Sequence, residues 1–193
     1  MSLKERTYSI LIVSASDRIS QAVSEVFPLP VFSPVNTVSN VSAAKRAISE
    51  RDFDIVLVNP PLPDDSLRFA VDTVDSSESV LLYLARAEQY ADVYDRLAEH
   101  GVFVVQKPVP MSVFRTVSGW LISARERLRR SEKKTLSIEE KMNEIRLSNR
   151  AKLLLISELK MTEADAHRYI EKQAMDRCVS KRVISEEIIK TYG

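Results

Sequence analysis

Residues 52–65 read Asp-Phe-Asp-Ile-Val-Leu-Val-Asn-Pro-Pro-Leu-Pro-Asp-Asp, or DFDIVLVNPPLPDD. The run Ile55 to Val58 has the length and unbroken apolar character of a strand covered on both faces. It stops at Asn59, and the prolines and acids that follow turn the chain into a loop. Four other runs have the same look: Tyr8 to Val13, a shorter one at Pro30 to Phe32, Val80 to Leu84, and Val102 to Val105. Helical stripes fall between them. Ile19, Val23, Val26 and Phe27 make one, and Val41, Ala44, Ala47 and Ile48 a second. Leu67, Ala70, Val71 and Val74 make a third, and Tyr90, Val93, Tyr94 and Leu97 a fourth.

Strand alternating with helix predicts βαβ units with right-handed crossovers. Five such units in about 120 residues have the size of a flavodoxin-like α/β domain with a parallel sheet, here expected over residues 1–122. After Pro110 no strand signal returns. Val117, Leu121, Ala124, Leu128, Ser131, Thr135, Ile138, Met142 and Ile145 are spaced alternately by four and three. That is a heptad seam, predicting a long helix with a coiled-coil linker at 123–146. Val117 and Leu121 are expected to pack on their own domain. Beyond Arg125 the seam needs another surface, either a parallel dimer or packing within the chain. Leu121, Ala124, Leu128, Thr135, Ile138, Met142 and Ile145 are the expected dimer positions, with Ala124, Ser131 and Thr135 as poor knobs.

The rest reads as short helices forming a three-helix bundle over 138–193. Ala151, Leu154, Leu155 and Leu159 share one side. Thr162 is an expected N-cap with Asp165 in the first turn, and Ser180 caps a last helix carrying Val183, Ile184, Ile188 and Ile189. So small a bundle is marginal alone, and dimerisation through the preceding helix would help it.

The charges are unevenly placed. Residues 1–124 hold 11 basic and 15 acidic side chains, residues 125–193 hold 17 and 12. The basic second part hints at an anionic partner. Cys178 is the only cysteine, and no apolar run is long enough for a bilayer, so a cytoplasmic protein is expected. The glycines, Gly101, Gly119 and Gly193, are too few for a phosphate-cradling loop. His100 and His167 lie far apart without ligand clusters. No metal, cofactor or enzyme activity is expected.

Over residues 7–122 the chain resembles the receiver domain of bacterial response regulators, down to Gln106-Lys107-Pro108 after the fifth strand. The resemblance implies two acids after the first strand for Mg²⁺, an aspartate acceptor after the third, a hydroxyl after the fourth and a lysine after the fifth. Ser14 and Ala15 stand at the acid pair, Asn59 at the acceptor, and Leu84, with Ala85 behind it, at the hydroxyl. Only Lys107 matches. An amide cannot form an acyl phosphate, and a hard cation needs anionic oxygens. The expectation is a degenerate, unphosphorylated receiver, controlled by a bound regulatory protein if at all. A later register would bring in Asp17, Asp64 or Asp65. Lys107 is expected to snorkel or to bond Asn59 and nearby backbone oxygens, and the Lys107–Pro108 bond to be cis.

Residues 138–190 resemble the ANTAR domain, an RNA-binding antiterminator module. The match lies in Asn149-Arg-Ala-Lys-Leu-Leu-Leu155, Met161-Thr-Glu-Ala-Asp-Ala166, Tyr169 and Glu171-Lys-Gln-Ala-Met-Asp-Arg177. Leu153 departs from it, standing where glycine is common. The whole arrangement resembles the amidase-operon transcription antiterminators, implying paired RNA hairpins in nascent transcripts as partners. Arg150, Lys152, Lys172, Arg177, Lys181 and Arg182 are the candidate phosphate contacts, with Tyr169 for stacking and Gln173 for a base edge. The rival readings are a DNA-binding regulator and a protein-interaction adaptor using the heptad helix.

Overall fold

The computed structural model describes residues 6–16 and 31–193. The expected stripe Ile19 to Phe27 lies outside the described residues, as does Asp17. Five strands, β1 (Tyr8–Ser14), β2 (Phe32–Val38), β3 (Ile55–Asn59), β4 (Val80–Ala85) and β5 (Phe103–Gln106), form one sheet in the order β2-β1-β3-β4-β5. Every pairing is parallel. The three central strands are buried along their whole length, which is why they read as continuous apolar runs. The second strand corrects an expectation: it starts at Phe32 and runs to Val38, where Pro30 to Phe32 was expected. It lies at the sheet edge, mixes polar with apolar residues, and tolerates Pro34, so no continuous run marks it.

Alternate residues of each strand feed two cores. On one face Val56, Val58, Leu81 and Tyr83 pack against α1 (Val41–Glu50), α2 (Ser66–Ser76) and α3 (Tyr90–Ala98). Side chains of Asn40 and Asp65 accept from the first-turn amides of α1 and α2 and so start both helices. On the other face Tyr8, Ile10, Ile12, Leu57, Leu82 and Leu84 meet Phe114, Val117 and Leu121 of the long helix α4 (Met111–Leu159).

Two compact units result, residues 1–130 and 131–193. The first runs past residue 122 because polar groups extend what the apolar contacts begin. Asp54 is buried at the edge of β3. Its Oδ1 accepts from Arg125 Nε at 3.0 Å and Arg129 Nη2 at 2.6 Å, and its Oδ2 from the Ser9 amide at 3.0 Å. Glu126 accepts from Tyr8 Oη at 3.0 Å and Arg129 Nη1 at 3.2 Å, and pairs with Arg6. Burial alone would raise the Asp54 pKa, but the Ser9 amide and the two guanidiniums outweigh it and hold the carboxyl below its ordinary value.

This corrects part of the expected dimer seam. Leu121 is fully buried in the sheet core, and Ala124 and Leu128 pack partly against the same core. Leu121 is thus covered by its own unit, and Ala124 and Leu128 are covered in part.

The second unit contains the later part of α4, then α5 (Glu163–Asp176) and α6 (Lys181–Tyr192). Ala151, Leu155, Ala166, Ile170, Ala174, Ile184 and Ile188 form its core. The alanines let the helices approach closely. Thr162 Oγ1 accepts from the Asp165 amide at 3.2 Å, and Ser180 Oγ from the Val183 amide at 3.4 Å, so both expected caps are present. Lys160 and Cys178, at the turns following α4 and α5, have φ of 54° and 51°.

Candidate functional site

Two places hold the residues singled out in the sequence. The first is the C-terminal edge of the sheet. The pairing of β1 with β3 sets Ser14 opposite Asn59, and both side chains are buried. Asn59 Nδ2 donates to Ser14 Oγ at 3.0 Å. Lys107 Nζ donates to Asn59 Oδ1 at 3.0 Å and also to the Pro60 carbonyl oxygen. The amide therefore satisfies a donor on one side and an acceptor on the other. Burial, then the nearby Arg86 charge, lowers the Lys107 pKa. The Lys107–Pro108 peptide is cis.

Other residues tied to this edge go elsewhere. Leu84 is sealed in the core with Leu57 and Phe114, while the Ala85 carbonyl accepts from the Lys107 amide at 2.8 Å. Ala15 is exposed. Of the alternative acids, the two among the described residues have other partners: Asp64 Oδ2 accepts from the Ser42 amide at 3.2 Å, and Asp65 caps α2. Among the described residues no group of three His, Cys, Asp or Glu side chains could hold a metal ion.

The second place is the surface of the helical unit. Several of the expected phosphate-binding cations already have carboxylate partners. Arg177 Nη2 donates to Glu187 at 2.7 Å, Arg182 Nε to Glu186 at 2.8 Å and Lys152 Nζ to Glu163 at 3.2 Å, and Lys181 pairs with Glu171. Hydrogen bonds from Lys181, then its charge, lower the Glu171 pKa, and Arg177 does the same to Glu187. Arg150 and Lys172 are exposed and carry no such pair among the described residues. Tyr169 is 38% exposed and outside the core, which settles its position as outward. Gln173 is half-buried.

One residue escaped the sequence reading. Arg168 is exposed on α5, has no ion pair among the described residues, and lies four positions before Lys172. Arg168 and Lys172 occupy the side of α5 opposite Ala166, Ile170 and Ala174, and Tyr169 lies on the flank between that side and the core. The i to i+4 spacing was the available signal. Leu153 is 66% exposed and takes no part in the helical core, so its bulk falls on the surface and not on helix packing.

A family model described as the ANTAR domain matches residues 137–189. The protein is a receiver fold followed by an ANTAR domain. The transcriptional regulatory protein PdtaR of Mycobacterium tuberculosis is 24% identical over 141 residues, covering 72% of this chain and 69% of that protein. The receiver unit is similar in fold to a signal receiver domain of an HD domain-containing protein from Pseudomonas fluorescens. That match has a TM-score of 0.57 at 16% identity and covers 65% of this chain and 93% of the other. It is also similar to a structure described as an adenylate cyclase from Rhodopirellula baltica, with a TM-score of 0.59 at 19% identity over 68% of this chain and 98% of that one. At such identities the likeness is one of fold alone. PdtaR is described as a transcriptional regulatory protein. No helix among the described residues is long and apolar enough to cross a membrane.

Proposed function

We propose that the protein is a cytoplasmic RNA-binding transcription antitermination regulator whose receiver works without phosphorylation at Asn59. The observation that carries the RNA reading is the ANTAR match over 137–189, on a unit whose exposed α5 side offers Arg168, Tyr169 and Lys172. Guanidinium and ammonium groups meet phosphates, and a phenol ring stacks on an unpaired base of a hairpin loop. Arg150 adds a further exposed cation. Arg177, Lys181, Arg182 and Lys152 join only by exchanging their carboxylates for phosphates, a weak competition where the pairs are water-screened.

The unphosphorylated reading rests on the donor set at the sheet edge. Ser14 and Asn59 supply neutral oxygens only, which do not suit Mg²⁺, and the Asn59 amide is no acceptor for a phosphoryl group. Lys107 is held by that amide and by a backbone carbonyl, as a structural anchor.

The exposed seam supports a homodimer. Ile138, Met142 and Ile145 are 48%, 49% and 60% exposed at heptad spacing. A parallel pairing would bury them and present two ANTAR domains to two linked hairpins, with a gain in avidity.

The test is binding of the full chain to a tandem-hairpin RNA, followed by anisotropy across a salt series. Wild type binds, and the paired change Arg168→Ala with Lys172→Ala weakens binding and lowers the slope of log affinity against log salt by about one per lost phosphate contact. Equal competition by duplex DNA at matched salt would transfer the reading to a DNA-binding regulator. No salt-sensitive binding to either would leave the adaptor reading.

A further inference from the structure

A groove of about 950 Å³ opens in the receiver unit beside the Asn59 site. Leu84, Val109, Met111 and Phe114 make its apolar wall, and Arg86 and Lys107 stand in the same lining. The volume is that of a small-molecule site, and a mostly apolar wall with a few convergent polar groups is the usual composition of one. The two cations are not balanced there. Arg86 is exposed and has no ion pair among the described residues, and Glu88, also in the lining, bonds to neither cation. Lys107 spends two ammonium protons on Asn59 and Pro60, leaving a third donor.

We propose that this groove binds a small carboxylic acid with an aromatic or branched apolar body, its carboxylate held by Arg86 and Lys107. The apolar body replaces water against Val109 and Met111, the members of that wall that are not buried, where the hydrophobic gain is available. The carboxylate brings the counter-charge that two neighbouring cations lack. Arg86 can take it through two parallel N–H donors. A neutral ligand would fill the same wall and leave the cations as they are, so the charge decides the class. The inference concerns the receiver unit alone, and its failure would leave the RNA reading untouched.

The full chain, labelled with ¹³C at Leu, Val and Met methyls, is titrated with phenylacetate and separately with phenylacetamide. Phenylacetate moves the Leu84, Val109 and Met111 signals saturably, and the amide binds at least about tenfold more weakly. Arg86→Ala removes an exposed side chain that has no ion pair among the described residues, so the fold is kept. It weakens phenylacetate about tenfold and leaves phenylacetamide unchanged. Methyl shifts absent from the groove, or acid and amide binding alike, or an Arg86→Ala chain that holds the acid as wild type does, would each overturn the assignment.

Discussion

The two stretches of α4 on either side of Arg130 follow one heptad spacing and meet different fates. In the first, Val117 and Leu121 are buried against the sheet, and Asp54 and Glu126 bind the arginines that follow. In the second, Ile138, Met142 and Ile145 stand in solvent. Periodicity says that a face wants covering. It does not say what covers it. The cover of the first stretch is a sheet supplied by residues far away in sequence, and its limit is set by ion pairs that a count of apolar positions does not register.

The sharpest way to break this contrast is at Asp54. Asp54→Asn removes the charge that Arg125 and Arg129 share and leaves both guanidiniums partly buried. We expect a loss of roughly 3–5 kcal/mol in the receiver unit, seen in denaturant melts. The pH dependence follows from the lowered Asp54 pKa. A carboxyl depressed in the folded state contributes its full stability above its unfolded value, about pH 4, and loses it as pH falls through the folded value. Wild type therefore loses stability below about pH 4, and Asp54→Asn shows a shallower fall there. A variant with wild-type stability would mean that the charges do not hold the helix.

The second stretch is tested by association. Ile138→Ser with Ile145→Ser removes two knobs that a dimer would bury. Sedimentation equilibrium should show at least about a tenfold weaker dimer, while helicity changes little because both positions are exposed in the single chain. The smallest and opposite effect is expected of Thr135→Leu, which gives the seam a better knob and tightens association modestly. A monomeric wild type at high concentration would remove the dimer from the proposal.

The core strands β1, β3 and β4 were legible because burial on both faces forces continuous apolar runs. The edge strand β2 was not, since Ser33, Pro34, Asn36 and Thr37 interrupt its apolar pattern. The Asn59–Lys107 bond followed from a strand end meeting another strand end. The basic helical unit was legible as charge, but not its pairing: Glu171 and Glu187 lie ten positions from Lys181 and Arg177, and only the turn between α5 and α6 brings them together. Arg168 was missed because its value lies in having no such partner among the described residues.

Asn59 is followed by Pro60. The common ageing of asparagine to aspartate begins when the next residue's backbone nitrogen, freed of its hydrogen, attacks the side-chain amide and closes a succinimide. Proline has no such hydrogen to lose. That route is shut at this position, so spontaneous deamidation through a cyclic imide cannot create the carboxylate that a phosphoryl acceptor would need.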